Sequence, residues 1–87
     1  MNIVVHSKDG CPFCELTKDW LDENGFEFEN ILHNDDNERK EFYEKCGDGV
    51  KSVPQIFLDG IRLGGYDALM ANKDELLLTK TNFDEDF

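Results

Sequence analysis

The sequence predicts an α/β domain in the order β-α-β-α-β-β-α, with a four-stranded mixed sheet flanked by helices. Short β-branched and aromatic runs alternate with longer segments whose apolar residues recur at helical spacing. The first two strands are expected to pair in parallel, because a crossover helix separates them. Asp59-Gly60 lies between two short apolar runs and predicts a hairpin, which adds an antiparallel pair.

The four predicted strands are short and rich in residues that favour extended structure. A β-branched run within residues 2–7 suits a buried strand. In residues 26–32, Phe26, Phe28 and then Ile31 or Leu32 alternate with Glu27 and Glu29, which predicts the second strand. Residues 55–58 and 61–63 form the two strands of the hairpin.

The first predicted helix begins at Pro12, a residue that fits the first helical position, and ends at Asn24-Gly25. Trp20 lies in its apolar stripe and is expected to belong to the core. Asp36 or Asn37 is expected to cap the second helix, which runs to Cys46.

The third predicted helix spans residues 66 to about 78, and the residues after it are polar and acidic. We therefore divide the chain into a domain at residues 1–78 and an acidic C-terminal tail at residues 79–87. Residues 82–87 of this tail are expected to be disordered and to aid solubility.

The composition of the 87 residues restricts the classes of partner. With 9 Lys+Arg against 20 Asp+Glu, the formal net charge is −11, which argues against nucleic acids and anionic membranes. The sequence shows neither a signal peptide nor an apolar run of the roughly 20 residues that a membrane span needs. Three cysteines are too few for a disulfide scaffold, so a protein of the reducing cytoplasm is expected. We also expect it to be a monomer.

Cys11-Pro12-Phe13-Cys14 lies where the first strand hands over to the first helix. Cys11 is expected at the helix N-cap, where free backbone N–H groups, the helix dipole and nearby Lys8 stabilise an anion. Such surroundings lower the pKa of a thiol from about 8.5 to roughly 3.5–7.5. Cys14 lies three residues later on the same helical face, so the two sulfurs can form a disulfide.

A zinc half-site is the structural alternative for the two cysteines. Zinc usually needs four ligands, and the remaining candidates, His6, His33 and Cys46, form no second paired motif. We therefore favour redox chemistry and predict no metal. Cys46 is expected to be a passive third thiol, and neither histidine is assigned a role.

Ser52-Val53-Pro54-Gln55 places a proline at the entrance to the third strand. The Val53–Pro54 bond is either cis or, as at many strand edges, trans. A cis bond would turn the Val53 backbone outward, where it could pair with an extended peptide.

Gly64-Gly65-Tyr66-Asp67 comes before the third helix. Two glycines allow close approach to the backbone, and the N–H groups that follow can hold a carboxylate. Alternatively, Asp67 is only the helix cap.

These three segments occur together and in this order, and the chain resembles the dithiol glutaredoxins of the thioredoxin-like superfamily over residues 1 to about 78. It differs by Phe13 where tyrosine is usual, Ser52 where threonine is usual, and Ala68 in place of a second aspartate. The resemblance implies a thioredoxin-like fold and glutathione-dependent reduction of protein disulfides and glutathione mixed disulfides. Cys11 and Cys14 would be catalytic, with glutathione as co-substrate and no tightly bound cofactor.

The resemblance also implies a glutathione site. Lys8 and Arg39 would bind the glycyl carboxylate, and the Val53 backbone would pair with the cysteinyl unit beside Pro54. The Tyr66 and Asp67 N–H groups would bind the γ-glutamyl carboxylate, and the Asp67 side chain would meet the ammonium. The complete set implied is Lys8, Phe13, Arg39, Ser52, Val53, Pro54, Gly65, Tyr66 and Asp67.

Two other functions share parts of this pattern: a thioredoxin-like reductant served by a flavoprotein reductase, and a non-enzymatic iron–sulfur carrier. The Gly64 to Asp67 segment and Lys8 favour the glutathione-dependent enzyme over the first, and Cys14 with Pro12 argues against the second. Residues 82–87 resemble the acidic, phenylalanine-ended C-termini of ribonucleotide reductase small subunits. We hypothesise that they tether the protein to the large subunit as one client.

Overall fold

The computed structural model describes residues 1–47 and 49–84, with side chains through Lys80. The elements are β1 Ile3–Ser7, α1 Pro12–Glu23, β2 Glu29–Leu32, α2 Asp36–Cys46, β3 Gln55–Leu58, β4 Ile61–Gly64, α3 Tyr66–Ala71 and α4 Lys73–Asp84. The predicted order is confirmed up to the third helix. Beyond that helix the chain forms a fourth helix that the sequence pattern did not separate.

The strands form one sheet in the order β2-β1-β3-β4. β1 pairs in parallel with β2 and antiparallel with β3, and β3 pairs antiparallel with β4. The predicted mixed sheet is therefore confirmed. Because of these directions, three strand termini lie at the same end of the sheet: the end of β1, the beginning of β3 and the end of β4. The three motifs singled out in the sequence follow or precede those strand ends.

The hairpin between β3 and β4 has the predicted turn. Asp59 and Gly60 both have positive φ, 51° and 84°, as a two-residue turn that matches strand twist requires. The turn is fastened to the start of β1, because the Asp59 carboxylate accepts from the Asn2 N–H at 2.7 Å and the Asp59 N–H donates to the Asn2 carbonyl at 2.8 Å.

β2 is shorter than predicted and begins at Glu29 rather than Phe26. The Phe26 N–H donates to the Leu21 carbonyl at 2.9 Å, which ties this stretch to the end of α1. The Phe26 ring stacks on Trp20 with centroids 5.8 Å apart, and both pack against the core. The alternation of phenylalanine and glutamate thus reflects burial beside α1 and not strand pairing, while the core position expected for Trp20 is confirmed.

α2 is capped by Asp35, so the prediction of Asp36 or Asn37 was wrong by one or two residues. The Asp35 carboxylate accepts from the Glu38 N–H at 2.8 Å. All three residues are good caps, and tertiary position decides between them.

The helix predicted over residues 66–78 is broken at Asn72 into α3 and α4. The Asn72 side chain donates to the Ala68 carbonyl at 2.8 Å and thereby competes with helix continuation. α4 then runs to Asp84, so residues 79–84 of the predicted tail are helical, and the disorder expected from residue 82 is wrong for residues 82–84. Residues 85–87 lie outside the described part of the chain.

The main core lies between one face of the sheet and helices α1, α3 and α4. Its buried members are Ile3, Val5, Leu21, Ile56, Leu69 and Leu76. On the opposite face, α2 has no fully buried residue. Its main attachment is Phe42, whose ring stacks on His6 and His33 with centroids 4.4 and 4.3 Å away.

In the described part of the chain, no helix combines the length and apolar content needed to cross a bilayer.

The position of His6 beneath α2 generates a prediction about acid stability. Burial, reinforced by the charge of protonated His33, holds the pKa of His6 below its ordinary value of 6.5, against the opposing carboxylates of Glu38 and Glu29. The unfolded chain therefore binds this proton more readily than the folded protein. Neutral His6 therefore contributes fully to the free energy of unfolding above about pH 6.5. This contribution is lost as the pH falls towards the folded-state pKa of His6.

We expect the free energy of unfolding in urea to fall more for the wild type than for His6→Phe between about pH 7.5 and pH 5.5. His6→Phe keeps a ring against Phe42 but cannot titrate, and both proteins share the same carboxylates. An equal acid-induced loss in the two proteins would contradict the prediction.

Candidate functional site

Cys11 occupies the N-cap of α1 and is almost completely buried. Its φ and ψ are −106° and 105°, and its Sγ accepts a hydrogen bond from the Cys14 N–H at 3.2 Å. Pro12 takes the first helical position, where its missing N–H costs no hydrogen bond. The predicted N-cap position of Cys11 is confirmed.

Cys11 and Cys14 form a disulfide, with their Cα atoms 5.2 Å apart. Cys14 is fully buried, whereas the Cys11 residue retains 7% exposure. Of the two cysteines, Cys11 is thus the more accessible residue. The predicted pairing is confirmed.

Val53 lies against the disulfide. Its carbonyl oxygen is 3.6 Å from Cys11 Sγ, and the Val53–Pro54 peptide bond is cis, which decides between the two alternatives that the sequence left. Val53, Cys11 and Cys14 form a small buried cluster, against which Phe42 and Tyr43 of α2 pack. This cluster is separate from the main core.

A cleft of about 590 Å³ opens beside the cluster. It is lined by Phe13, Ser52, Val53, Pro54, Gln55, Gly65, Tyr66, Asp67 and Ala68. Every glutathione-binding residue that the resemblance implied is in this set except Lys8 and Arg39. The rings of Phe13 and Tyr66 face each other across one side with centroids 5.7 Å apart, and Phe13 is 57% exposed.

The two glycines before α3 make the cleft possible. Gly64 has φ +128°, and a Cβ there would lie 2.9 Å from the Cβ of Ala68. A Cβ on Gly65 would lie 3.3 Å from the Pro54 carbonyl oxygen, so the backbone of the Pro54 segment approaches closely. Gly65 is also the N-cap of α3 and Asp67 is exposed in the first turn, so the alternative of Asp67 as the cap is wrong.

Gln55 lines the cleft, although the sequence analysis assigned it no role. Its side chain is buried, donates from Nε2 to the Ser52 carbonyl at 2.9 Å, and accepts from Arg62 Nη1 at 3.0 Å. Gln55 thereby fastens the Ser52–Pro54 segment to the sheet. A polar residue at the first inward position of a buried strand is the signal that could have identified it.

Arg39 and Lys8 lie outside the set that lines the cleft. The Arg39 guanidinium donates to the His33 carbonyl at 2.9 Å and to Asp36 at 2.7 Å, and this hydrogen bond to Asp36 raises the pKa of Arg39. Lys8 follows β1 and is half-buried, with no ion pair among residues 1–47 and 49–80. Their contact with a ligand stays a prediction.

Cys46 is a half-buried free thiol at the end of α2. Burial raises its pKa, against the opposing charge of Arg62, so the nucleophilic thiolate is disfavoured. This fits the passive role expected for it. Within the described ranges, no group of three or more His, Cys, Asp or Glu side chains is arranged so that it could hold a metal ion.

Comparisons with known proteins agree with this geometry. The glutaredoxin family model matches residues 3–62. Glutaredoxin 1 of Rickettsia felis is 40% identical over 79 residues, which cover 90% of this chain and 78% of the relative. A crystal structure of glutaredoxin 1 from Francisella tularensis complexed with cacodylate has a TM-score of 0.83 at 32% identity, over 87% of this chain and 95% of the other. A crystal structure of a buckwheat glutaredoxin–glutathione complex has a TM-score of 0.74 at 26% identity, over 90% of this chain and 73% of the other.

The attachment of the Ser52–Pro54 segment by Gln55 is testable. We expect Gln55→Ala to lower the free energy of unfolding in urea by about 1–3 kcal/mol, because two hydrogen bonds in a buried position are lost. Arg62→Met is the control, since it keeps the Gln55–Ser52 bond and changes an exposed side chain. If Arg62→Met is as destabilised as Gln55→Ala, the Ser52 bond is not what stabilises the segment.

Proposed function

Because this chain belongs to the glutaredoxin family and is a thiol–disulfide oxidoreductase with a thioredoxin-like fold, we propose that glutathione is its co-substrate. In this proposal it reduces glutathione mixed disulfides and protein disulfides through Cys11 and Cys14. The observation that carries the proposal is the cleft beside Cys11, whose volume of about 590 Å³ is in the usual range for small-ligand sites.

The backbone of Val53 is suited to pair with the cysteinyl unit of glutathione. Its N–H has no hydrogen-bond acceptor within residues 1–47 and 49–80. Val53 lines the cleft, and its carbonyl oxygen lies 3.6 Å from Cys11 Sγ. An extended peptide bound there by main-chain hydrogen bonds would present its sulfur to Cys11. This is how the cleft would align the glutathione sulfur with the reactive thiol.

The two ends of glutathione carry different charges, and the proposed contacts match them. The γ-glutamyl carboxylate would accept from the Tyr66 and Asp67 N–H groups at the start of α3, and the exposed Asp67 carboxylate would meet the ammonium. The glycyl carboxylate would bind Lys8. Arg39 would contribute only if its guanidinium served the ligand and Asp36 together.

The reaction follows from exchange at sulfur. The Cys11 thiolate attacks the glutathione sulfur of a mixed disulfide, a new Cys11–glutathione disulfide forms, and the client leaves as a thiolate that takes a proton from water. A second glutathione thiolate then attacks the bound glutathione sulfur, which yields oxidised glutathione and frees Cys11. For a protein disulfide, the Cys11 thiolate attacks one client sulfur and forms a Cys11–client disulfide, and the other client sulfur leaves as a thiolate. Cys14 then attacks the Cys11 sulfur, which releases the second client thiolate and forms the Cys11–Cys14 disulfide. Two glutathione thiols reduce this disulfide in turn and leave as oxidised glutathione.

We expect Cys11→Ser to abolish hydroxyethyl disulfide reduction in an assay coupled to glutathione reductase, because the attacking thiolate is lost. Cys14→Ser should keep reduction of glutathione mixed disulfides and lose reduction of protein disulfides, since only the latter needs the second thiol. Equal losses in both variants and both assays would contradict these roles.

The same assay separates the proposal from a thioredoxin-like reductant. If a flavoprotein thioredoxin reductase sustains turnover of the wild type and glutathione with glutathione reductase does not, the co-substrate assignment is wrong.

We also propose where the protein acts and on which clients. We place the protein in the reducing cytoplasm, with disulfide-containing or glutathionylated proteins as its clients and no nucleic acid partner.

Ribonucleotide reductase is one proposed client, through residues 82–87. We expect deletion of these residues to lower the rate of ribonucleotide reductase turnover at limiting concentrations of this protein by about tenfold, because tethering raises local concentration. Hydroxyethyl disulfide reduction should stay unchanged. A double variant, Phe83→Ser with Phe87→Ser, keeps the acidic charges and tests the apolar anchors. Unchanged reductase turnover after the deletion would remove the idea.

A further inference from the structure

His33 is a buried polar residue whose hydrogen-bonding groups all connect separate elements. Its backbone N–H donates to the Ser7 carbonyl at the end of β1 at 2.8 Å, and its carbonyl accepts from Arg39 of α2. Its Nδ1 lies 2.7 and 2.8 Å from the two carboxylate oxygens of Glu38, and its Nε2 lies 2.8 Å from Nδ1 of His6. We refer to these three residues as the His6–His33–Glu38 chain.

The positions of the protons follow from the chemistry of the partners. An ionised carboxylate only accepts, so Nδ1 of His33 donates to Glu38. One proton occupies the contact between His33 and His6, because two N–H groups facing each other at 2.8 Å would repel. The chain therefore keeps both hydrogen bonds when its histidines are neutral together or share one added proton.

The neighbours of the His6–His33–Glu38 chain come from several elements. The charged ones are Glu29 of β2, the Arg39–Asp36 pair of α2, and Arg62 of β4, which bonds to Gln55; the uncharged ones are Gln55 and Phe57 of β3.

The His6–His33–Glu38 chain holds helix α2 against the two cysteines. Phe42 stacks on both His6 and His33, and Phe42 and Tyr43 pack against the cluster of Cys11, Cys14 and Val53. Since α2 buries no residue completely, its partly buried apolar contacts are reinforced by ring stacking and by the hydrogen bond between Glu38 and His33. The contact of α2 with the cysteines thus depends on His33.

The residue after His33 holds the segment that leads into Cys11. The Asn34 side chain accepts from the Asp9 N–H at 2.8 Å and donates to the Asp9 carboxylate at 2.9 Å. Asp9 lies two residues before Cys11. Together with the bond from the His33 N–H to Ser7, this fixes the turn between β1 and α1 from one side.

We propose that His33 is a positioning residue for thiol–disulfide exchange, which holds the Cys11 turn and helix α2 in place through the His6–His33–Glu38 chain. Stabilisation of a thiolate by a helix N-terminus falls off within about one turn. A small displacement of Cys11 from the α1 N-terminus therefore reduces the thiolate population and the rate of attack. His33 touches neither sulfur and acts only through the elements that it fixes.

The test measures Cys11 itself and needs no glutathione, so it stands or fails separately from the proposed co-substrate. All variants carry Cys46→Ser, and the reduced proteins react with iodoacetamide across about pH 5 to 9, which gives the Cys11 thiol pKa and the limiting rate. In His33→Leu we expect the midpoint to rise by about one unit and the rate at a pH below both midpoints to fall about tenfold.

A second pair of variants keeps the proposal testable if His33→Leu does not fold. Glu38 is about half-exposed, so both Glu38→Leu and Glu38→Gln should fold. Glu38→Leu removes the acceptor and should shift the Cys11 midpoint in the same direction as His33→Leu. Glu38→Gln retains an acceptor oxygen for His33 and should stay within about twofold of the wild-type rate.

Glu41→Leu is the matched control, because Glu41 is an exposed carboxylate on the same helix, and its rate should match the wild type. Two results would overturn the proposal. One is a folded Glu38→Leu variant with wild-type midpoint and rate. The other is an equal shift in Glu38→Leu and Glu38→Gln, which would show that the hydrogen bond to His33 does not position Cys11.

Discussion

The hydrogen bond from the Cys14 N–H to the Cys11 sulfur is the interaction on which the chemistry of this protein depends. It exists because Cys11 immediately precedes Pro12, which starts the helix without an N–H of its own and leaves the next amides to face the sulfur. A hydrogen bond to a thiolate is stronger than one to a neutral disulfide sulfur. The Cys14 amide is therefore placed to stabilise a Cys11 thiolate when the disulfide is reduced.

The sheet topology brings the rest of the site to that sulfur. Because β3 runs antiparallel to both β1 and β4, the turn after β1, the segment before β3 and the glycines after β4 meet at one end of the sheet. The approach of Gly65 to the Pro54 carbonyl shows how closely the last two segments meet. A cleft bounded by backbone on two sides offers directional main-chain groups, which a surface made of flexible side chains would not. Fold and function are thus linked through strand direction.

Features that depend on a few neighbouring residues were predictable from the sequence. The bounds of β3, the Asp59-Gly60 turn and the N-cap at Cys11 each follow from local backbone preferences, and all three are found. The break at Asn72 was missed because apolar residues keep helical spacing on both sides of it, and spacing alone does not register a side chain that bonds back to the Ala68 carbonyl.

Features that depend on residues distant in sequence were not predictable. His6 and His33 are 27 residues apart and meet only because β1 and β2 are neighbours in parallel register. In the sequence each was an isolated histidine without a motif. Pairing across elements selects such partners from many that composition would allow. Arg39 is a different case, because its partners, the Asp36 carboxylate and the His33 carbonyl, are only three and six residues away.

Because the net charge is −11, an anion at this site has to be stabilised by groups close to it and not by the overall charge of the protein. The overall field of such a chain would repel glutathione, the proposed co-substrate, which carries two carboxylates, but at physiological salt this field is screened beyond about 8 Å. Within that distance the helix N-termini of α1 and α3 and the adjacent amides dominate. A sulfur anion and a carboxylate can therefore both be stabilised on an acidic protein, provided that the backbone groups around them are held rigidly. Rigid support is what Gln55 gives to the Ser52–Pro54 segment, and it is why the anchoring of the surrounding elements matters as much as the cysteines themselves.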